Sequence, residues 1–212
     1  MDFSSETWKL GVGGEDFAQN WLIYSGAEIV HTNKIKCGGA PMLEGNRDKI
    51  ILPDTLAYLN KERCWVEIKT KSYATLRKCP PCAGRYEHGI PLRHWNDYCK
   101  LQNKTSEPVF LAFLQLDKRV ILIDRIDNLK YSLHPTDNET PRFLLSDSVN
   151  GKVKERHVFF GVDDFEHKFY FDSNYTLPKG IHPNAFRTII QLNNELINDK
   201  LSNLKNKNDL WG

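Results

Sequence analysis

Between Ile51 and Lys71, two β-prone runs flank a polar break at Asn60-Lys-Glu-Arg63, a pattern that predicts an antiparallel hairpin. Upstream, Phe17, Ala18, Trp21, Leu22 and Tyr24 recur at helical spacing and predict a helix from about Gly13 to Ser25, with Gly26 as its stop. Ala27 to Thr32 reads as a short strand, and residues 33–49 read as a glycine-containing loop. After the hairpin, residues 72–89 hold Pro, Gly, Cys and basic residues in no regular period, which predicts a long irregular loop bordering a binding groove. A helix follows from about Arg93 to Asn103, carrying Trp95, Tyr98, Cys99 and Leu101. The unbroken apolar run from Pro108 to Leu116 predicts a fully buried strand, and Val120 to Ile126 predicts a second strand. Residues 128–151 are polar, with two prolines. Two β segments, about Arg156 to Phe160 and Lys168 to Asp172, flank the acidic turn Val162-Asp-Asp-Phe-Glu166, which reads as solvated. His182-Pro183 opens a last helix striped by Phe186, Ile189, Ile190, Ile197, Leu201 and Leu204, an apolar face for packing or for a homodimer contact.

A chain of 212 residues with net charge +2 can bury a substantial core and is no polycation, so a nucleic-acid partner requires local basic patches. Lys69, Lys71, Arg77, Lys78, Arg85, Arg93 and Lys100 provide such a patch, or a solvated surface. The first residues lack a basic start and an apolar run, and no stretch has the length of a membrane span, so the expectation is a soluble cytoplasmic protein. The cysteines are odd in number, five, and scattered, which fits a reducing compartment better than a secreted disulfide framework. Cys79-Pro-Pro-Cys82 has the gap of a zinc half-site, completed only if Cys37, Cys99 and His88 or His94 gather around it; otherwise it is a rigid loop with free thiols.

The hairpin carries the candidate chemistry. Asp54 opens its first run, and Glu67 and Lys69, two apart on the second, point to one face. Carboxylates gathered there repel one another unless a hard cation takes up their charge, and Mg²⁺ binds through one or two carboxylates together with phosphate oxygens. An ammonium beside that ion is suited to steering water or countering charge on a phosphate.

Pro53-Asp54, followed across a turn by Glu67-Ile68-Lys69, resembles the core of the PD-(D/E)xK nuclease superfamily. The stretch from Gly11 to Leu22, with Glu15 after Gly13-Gly14, and the following Gly26 to Val30 resemble the opening helix and strand of its Holliday-junction-resolvase-like and Mrr-like branches. Trp95 to Gln102 ahead of Pro108-Val109 resembles the helix and strand after Glu-x-Lys in resolvase-like nucleases.

The resemblance spans Gly11 to roughly Leu116. It implies a restriction-endonuclease-like α/β core over residues 1–120, a mixed sheet flanked by helices, with a β-rich extension and a terminal helix over 121–212 packed on the same domain. It also implies Mg²⁺- or Mn²⁺-dependent DNA cleavage, structure-selective or weakly sequence-specific. Asp54, Glu67 and the Ile68 carbonyl would be metal ligands, with Glu15 on a second metal or a water and Lys69 on the attacking water. Lys71, Arg77, Lys78, Tyr98 and Gln102 are the candidate substrate contacts, although Trp95 and Tyr98 also suit a core, Gln102 a solvated position and Glu15 a helix N-terminus. The rival readings are a non-catalytic nucleic-acid or protein binder on this fold, a zinc-stabilised interaction protein, and RNA as substrate.

Overall fold

The computed structural model describes residues 6–30, 41–45, 49–59, 61–76, 84–133, 143–149 and 152–170. The fold is mixed α/β. Its centre is a six-stranded sheet in the order β1 (Glu28–Val30), β4 (Thr55–Leu59), β5 (Glu62–Lys71), β8 (Val109–Gln115), β9 (Val120–Arg125) and β12 (His167–Tyr170). Every neighbouring pair is antiparallel except β5 and β8, which run parallel. That parallel pair needs a crossover. The connection contains β6 (Thr75–Leu76), β7 (Tyr86–Pro91) and helix α2 (Leu92–Thr105). A mixed sheet with helices on both faces is consistent with a restriction-endonuclease-like core.

Helix α1 (Glu6–Tyr24) covers one face, burying Leu10, Phe17, Ala18, Trp21 and Leu22 against Ala57, Cys64, Val66, Ile68, Ala112 and Ile121. It starts a full turn or more before the expected Gly13, running through Gly11, Gly13 and Gly14 despite about 1 kcal/mol of helix propensity lost at each. Its C-terminus is a Schellman motif: Ala27 N donates to Leu22 O, Gly26 N donates to Ile23 O, and Gly26 has φ 98°. On the opposite face, α2 contributes Trp95, Tyr98 and Leu101. A second sheet, in the order β10 (Phe143–Val149), β11 (Lys152–Gly161), β7 and β6, packs beside it through Ile90, Val158 and Phe160.

The hairpin forms, with narrower bounds than its sequence suggests. Leu59 pairs with Glu62, so Glu62 and Arg63 belong to β5 rather than to the break, and Lys61 takes a φ of 71° in the connection. Ile51 is not in β4 at all. It ends β3 (Lys49–Ile51), which pairs with β2 (Met42–Glu44) inside the segment expected to be loop. Four further elements depart from the expectation. The supposed loop at 72–89 contains β6 and most of β7, and the polar stretch after Val120–Arg125 contains α3 (Ile126–Leu133) and β10. β7, with Gly89 and Pro91 in it, becomes a strand by pairing with β11 about seventy positions later, as in His88 opposite Phe160. Asp124, next to last in β9, joins that strand to α3, its Oδ1 accepting from Arg125 N and from Asn128 Nδ2 in the first turn of the helix.

The acidic turn is the 3-10 turn Val162–Asp164, where Asp164 accepts from Gly161 N and pairs with Arg85. The expected C-terminal helix lies outside the described residues. Among the described residues no helix is long and apolar enough to cross a membrane.

Candidate active site

β4 begins only at Thr55, opposite Val66, while β5 runs on to Lys71 with β8 on its other side. Trp65 N donates to Pro108 O, and Lys71 O accepts from Leu116 N, so odd-numbered positions of β5 turn their peptide groups toward β8. Ile68 therefore turns its N–H and its carbonyl toward the side that β4 leaves open. The chain entering β4 fills that gap with Asp54. Asp54 Oδ2 accepts from Ile68 N at 3.0 Å, and Glu67 Oε2 accepts from Asp54 N at 3.3 Å, so each carboxylate is oriented by the other residue's strand. Lys69 forms an ion pair with Glu67 Oε1, and its Nζ is 3.7 Å from Asp54 Oδ2.

Glu67 is 1% exposed, which is a costly place for an acid unless its oxygens are engaged. Its third contact comes from α2. Tyr98, also 1% exposed, hydrogen-bonds Glu67, and His94 Nδ1 is 3.2 Å from the Tyr98 hydroxyl. A carboxylate can only accept, so the phenol donates to Glu67 and takes the imidazole N–H on its lone pair. Burial first, and then Glu67, holds the phenol well above its ordinary pKa, so Tyr98 stays a neutral donor.

The electrostatics are those of acids brought together. Burial and then the neighbouring Glu67 push Asp54 up to about 7, against the opposing pull of Lys69 and the Ile68 N–H. Burial works to lower Lys69, but Glu67 and Asp54 outweigh it and hold the ammonium above its usual value. Glu15 adds to that field from α1. It reaches the site because α1 lies almost directly on β5: a Cβ at Gly14 would be 1.7 Å from Thr70 Oγ1. Asp54, Glu67 and Lys69 are thus brought together and Tyr98 joins them from α2, while Glu15 acts on Lys69 through its charge from α1.

Gln102 does not join them. Its Oε1 accepts from Val109 N at 3.0 Å and its Nε2 donates to Asp127 Oδ1 at 2.7 Å, so its amide ties the start of β8 to α3. This corrects the expectation that Gln102 and Tyr98 face the site together. Lys71 lies further along the same face of β5, its pKa lowered by burial and by Lys69. Arg77 and Lys78 fall outside the described residues.

No protein-family model matches the chain, and no curated protein does. Among solved structures, the chain is similar to Hjc of Archaeoglobus fulgidus, a Holliday junction resolvase from an archaeal hyperthermophile. The identity is 10% and the TM-score 0.39, over 60% of this chain and 84% of that one.

Among the described residues no group of three or more His, Cys, Asp and Glu side chains is gathered to hold a metal ion. The Asp54 and Glu67 pair nevertheless suits Mg²⁺ or Mn²⁺, which take hard oxygen ligands from as few as one or two carboxylates. Burial and then the Glu67 charge push Asp54 up, and a cation between the two acids would offset both. Cys79, Cys82 and Cys37 lie outside the described residues. The remaining zinc candidates are engaged elsewhere: Cys99 is on α2 and in no disulfide, His94 is on Tyr98, and His88 is buried with Nε2 donating to Gln115 Oε1 at 2.9 Å.

His88 belongs to a polar chain that sequence reading did not find, because its partners come from a strand paired in register with β5. Gln115 stands opposite Lys71, receives His88, and donates to Asp117 Oδ1 at 2.7 Å. Burial, the largest cause, lowers His88 to about 4. The unfolded chain takes up a proton near 6.5 that the folded imidazole refuses, so acid favours unfolding between those values. The His88 contribution to stability in thermal melts should therefore fall from about pH 6.5 toward 4. Asp54, raised from 3.8 to about 7, titrates with the opposite sign across that whole range and offsets it in the parent, so the His88 contribution is read as the difference between the parent and His88→Asn. Parallel profiles for the two proteins contradict the assignment.

Proposed function

We propose that the chain is a nuclease that hydrolyses DNA phosphodiester bonds with Mg²⁺ or Mn²⁺. Asp54, Glu67 and the Ile68 carbonyl would hold the ion, Glu15 would serve a second ion or orient water, and Lys69 would stand beside the attacking water. The observation carrying this reading is the reciprocal locking of Asp54 and Glu67 across the start of β4, with the Lys69 ammonium against both.

When bound, a divalent ion supplies Lewis-acid activation of water and neutralises charge at the phosphate. The protein's own groups do the positioning. Asp54 N and the Tyr98 hydroxyl fix Glu67 so that its oxygens need no reorganisation when substrate arrives. Lys69, kept charged by its two acids, offers N–H donors to a water or a phosphate oxygen. Lys71 adds a second cation on the same face for the adjoining backbone.

The test is plasmid cleavage with Mg²⁺ or Mn²⁺. Asp54→Asn and Lys69→Ala should each lose roughly 10²–10³-fold in rate, the scale of removing one preorganised electrostatic group. Cutting at the parent rate by both variants removes the site assignment. DNA binding without cleavage, and without Mg²⁺ uptake in calorimetry, identifies a binding module instead.

A further inference from the structure

The face of β5 that carries Glu67, Lys69 and Lys71 does not end at Lys71. Gln115 stands opposite Lys71, His88 donates to Gln115, and Tyr86 is two residues from His88 on β7 and therefore on the same face. Leu76 is the direct cross-strand partner of Tyr86. Leading away from the acids, these residues thus come in the order of two lysines, a buried glutamine and histidine, and an exposed apolar and aromatic pair.

That pair is exposed. Tyr86 is 57% and Leu76 44% accessible, and Tyr73, in the bend between β5 and β6, is 61% accessible. Among the described residues neither tyrosine ring meets another ring. Large apolar groups exposed side by side next to a cationic track are the composition of a surface that stacks nucleobases while the lysines follow the backbone. Paired bases bury their faces in the duplex, so a stacking surface of this kind selects strands whose bases are free.

We propose that Tyr86, with Leu76 beside it, is a stacking platform for unpaired bases of the DNA strand whose phosphates run along Lys71 and Lys69. The inference rests on the nuclease reading for the identity of the ligand, and it names the substrate class: DNA with a single-stranded end or a splayed arm. Glu67 and Lys71 are four residues apart on β5, about 13 Å at ~3.3 Å per residue, so the platform contacts nucleotides beyond the one being cut.

The experiment measures binding of a fluorescein-labelled oligothymidine and of a blunt duplex of equal length, in EDTA so that nothing is cleaved. Tyr86→Ala should weaken oligothymidine binding by roughly 5- to 100-fold, the scale of losing one base–aromatic stack, and leave duplex binding nearly unchanged. Tyr86→Trp should restore it, with its indole fluorescence quenched by oligothymidine. Leu76→Ala should show a smaller loss of the same selectivity. The proposal is overturned if Tyr86→Ala binds oligothymidine as the parent does, if it loses both ligands equally, or if the parent does not bind oligothymidine. These readings are independent of catalysis. A Tyr86-dependent preference in a protein whose cleavage survives Glu67→Gln would keep the platform and discard the active site, whereas the reverse pattern would keep the active site alone.

Discussion

Glu67→Gln should lower the proposed phosphodiester cleavage by at least about 10³-fold, the rate equivalent of several kcal/mol of lost transition-state charge stabilisation. The substitution keeps the shape of the side chain and an oxygen for Asp54 N, so the backbone arrangement around it survives. What it removes is charge. Lys69 loses the carboxylate it pairs with and the largest cause holding its pKa up, and a divalent ion loses one of two acidic ligands. The same change has a readout apart from activity. Glu67 is the second cause, after burial, of the rise of Asp54 to about 7, so the Asp54 carboxyl should titrate lower in Glu67→Gln while remaining above its ordinary range. Carbon-13 chemical shifts of the carboxyl across pH measure this directly. An unchanged Asp54 titration together with parental cleavage would mean that the two acids are not one site.

Gly14→Ala destabilises the fold by about 1–3 kcal/mol or more, even though the same replacement in an unobstructed helix would gain about 1 kcal/mol. The sign is decided by contact. The added methyl would lie 1.7 Å from Thr70 Oγ1 and 2.7 Å from Thr70 Cβ, and Thr70 sits on a strand held in register by β8. A β-branched side chain so placed has few rotamers to retreat into, so α1 must move off the sheet. Glu15 moves with it, away from Lys69, and cleavage should fall along with stability. Urea unfolding of the single variant and of Gly14→Ala combined with Thr70→Gly separates the causes. Thr70→Gly removes every atom in the clash and should restore part of the loss, less the cost of about 0.5–1 kcal/mol for glycine in a strand. No recovery would place the defect elsewhere in α1.

Much of this arrangement was legible in the chain because it depends on short-range pattern. Helix α1 announced itself by the spacing of Phe17, Ala18, Trp21 and Leu22 and by the stop at Gly26, whose positive φ completes the cap. The apolar runs at 108–116 and 120–126 were strands for the same local reason, and Glu67 and Lys69 share a face because the strand period is two. Residues whose role depends on distant partners were not legible. β7 has a poor strand sequence and pairs only because β11 returns to it, α3 and β10 lie in a stretch too polar to declare itself, and Gln102, one helical turn from Tyr98, is drawn instead to Val109 and Asp127.

The sequence by itself determined which residue types were available for the chemistry and on which elements they ride. It also determined that Glu67 and Lys69 would share one face of a strand, since alternation along a strand follows from covalent geometry. Only the tertiary structure decided that β4 begins at Thr55 and leaves a gap beside β5 for Asp54, that Tyr98, backed by His94, closes on Glu67 from another layer, and that Gly14 lets α1 settle on Thr70. Those outcomes depend on close packing between segments far apart in the chain, where an ångström of side-chain volume changes what can touch, and no local period encodes that.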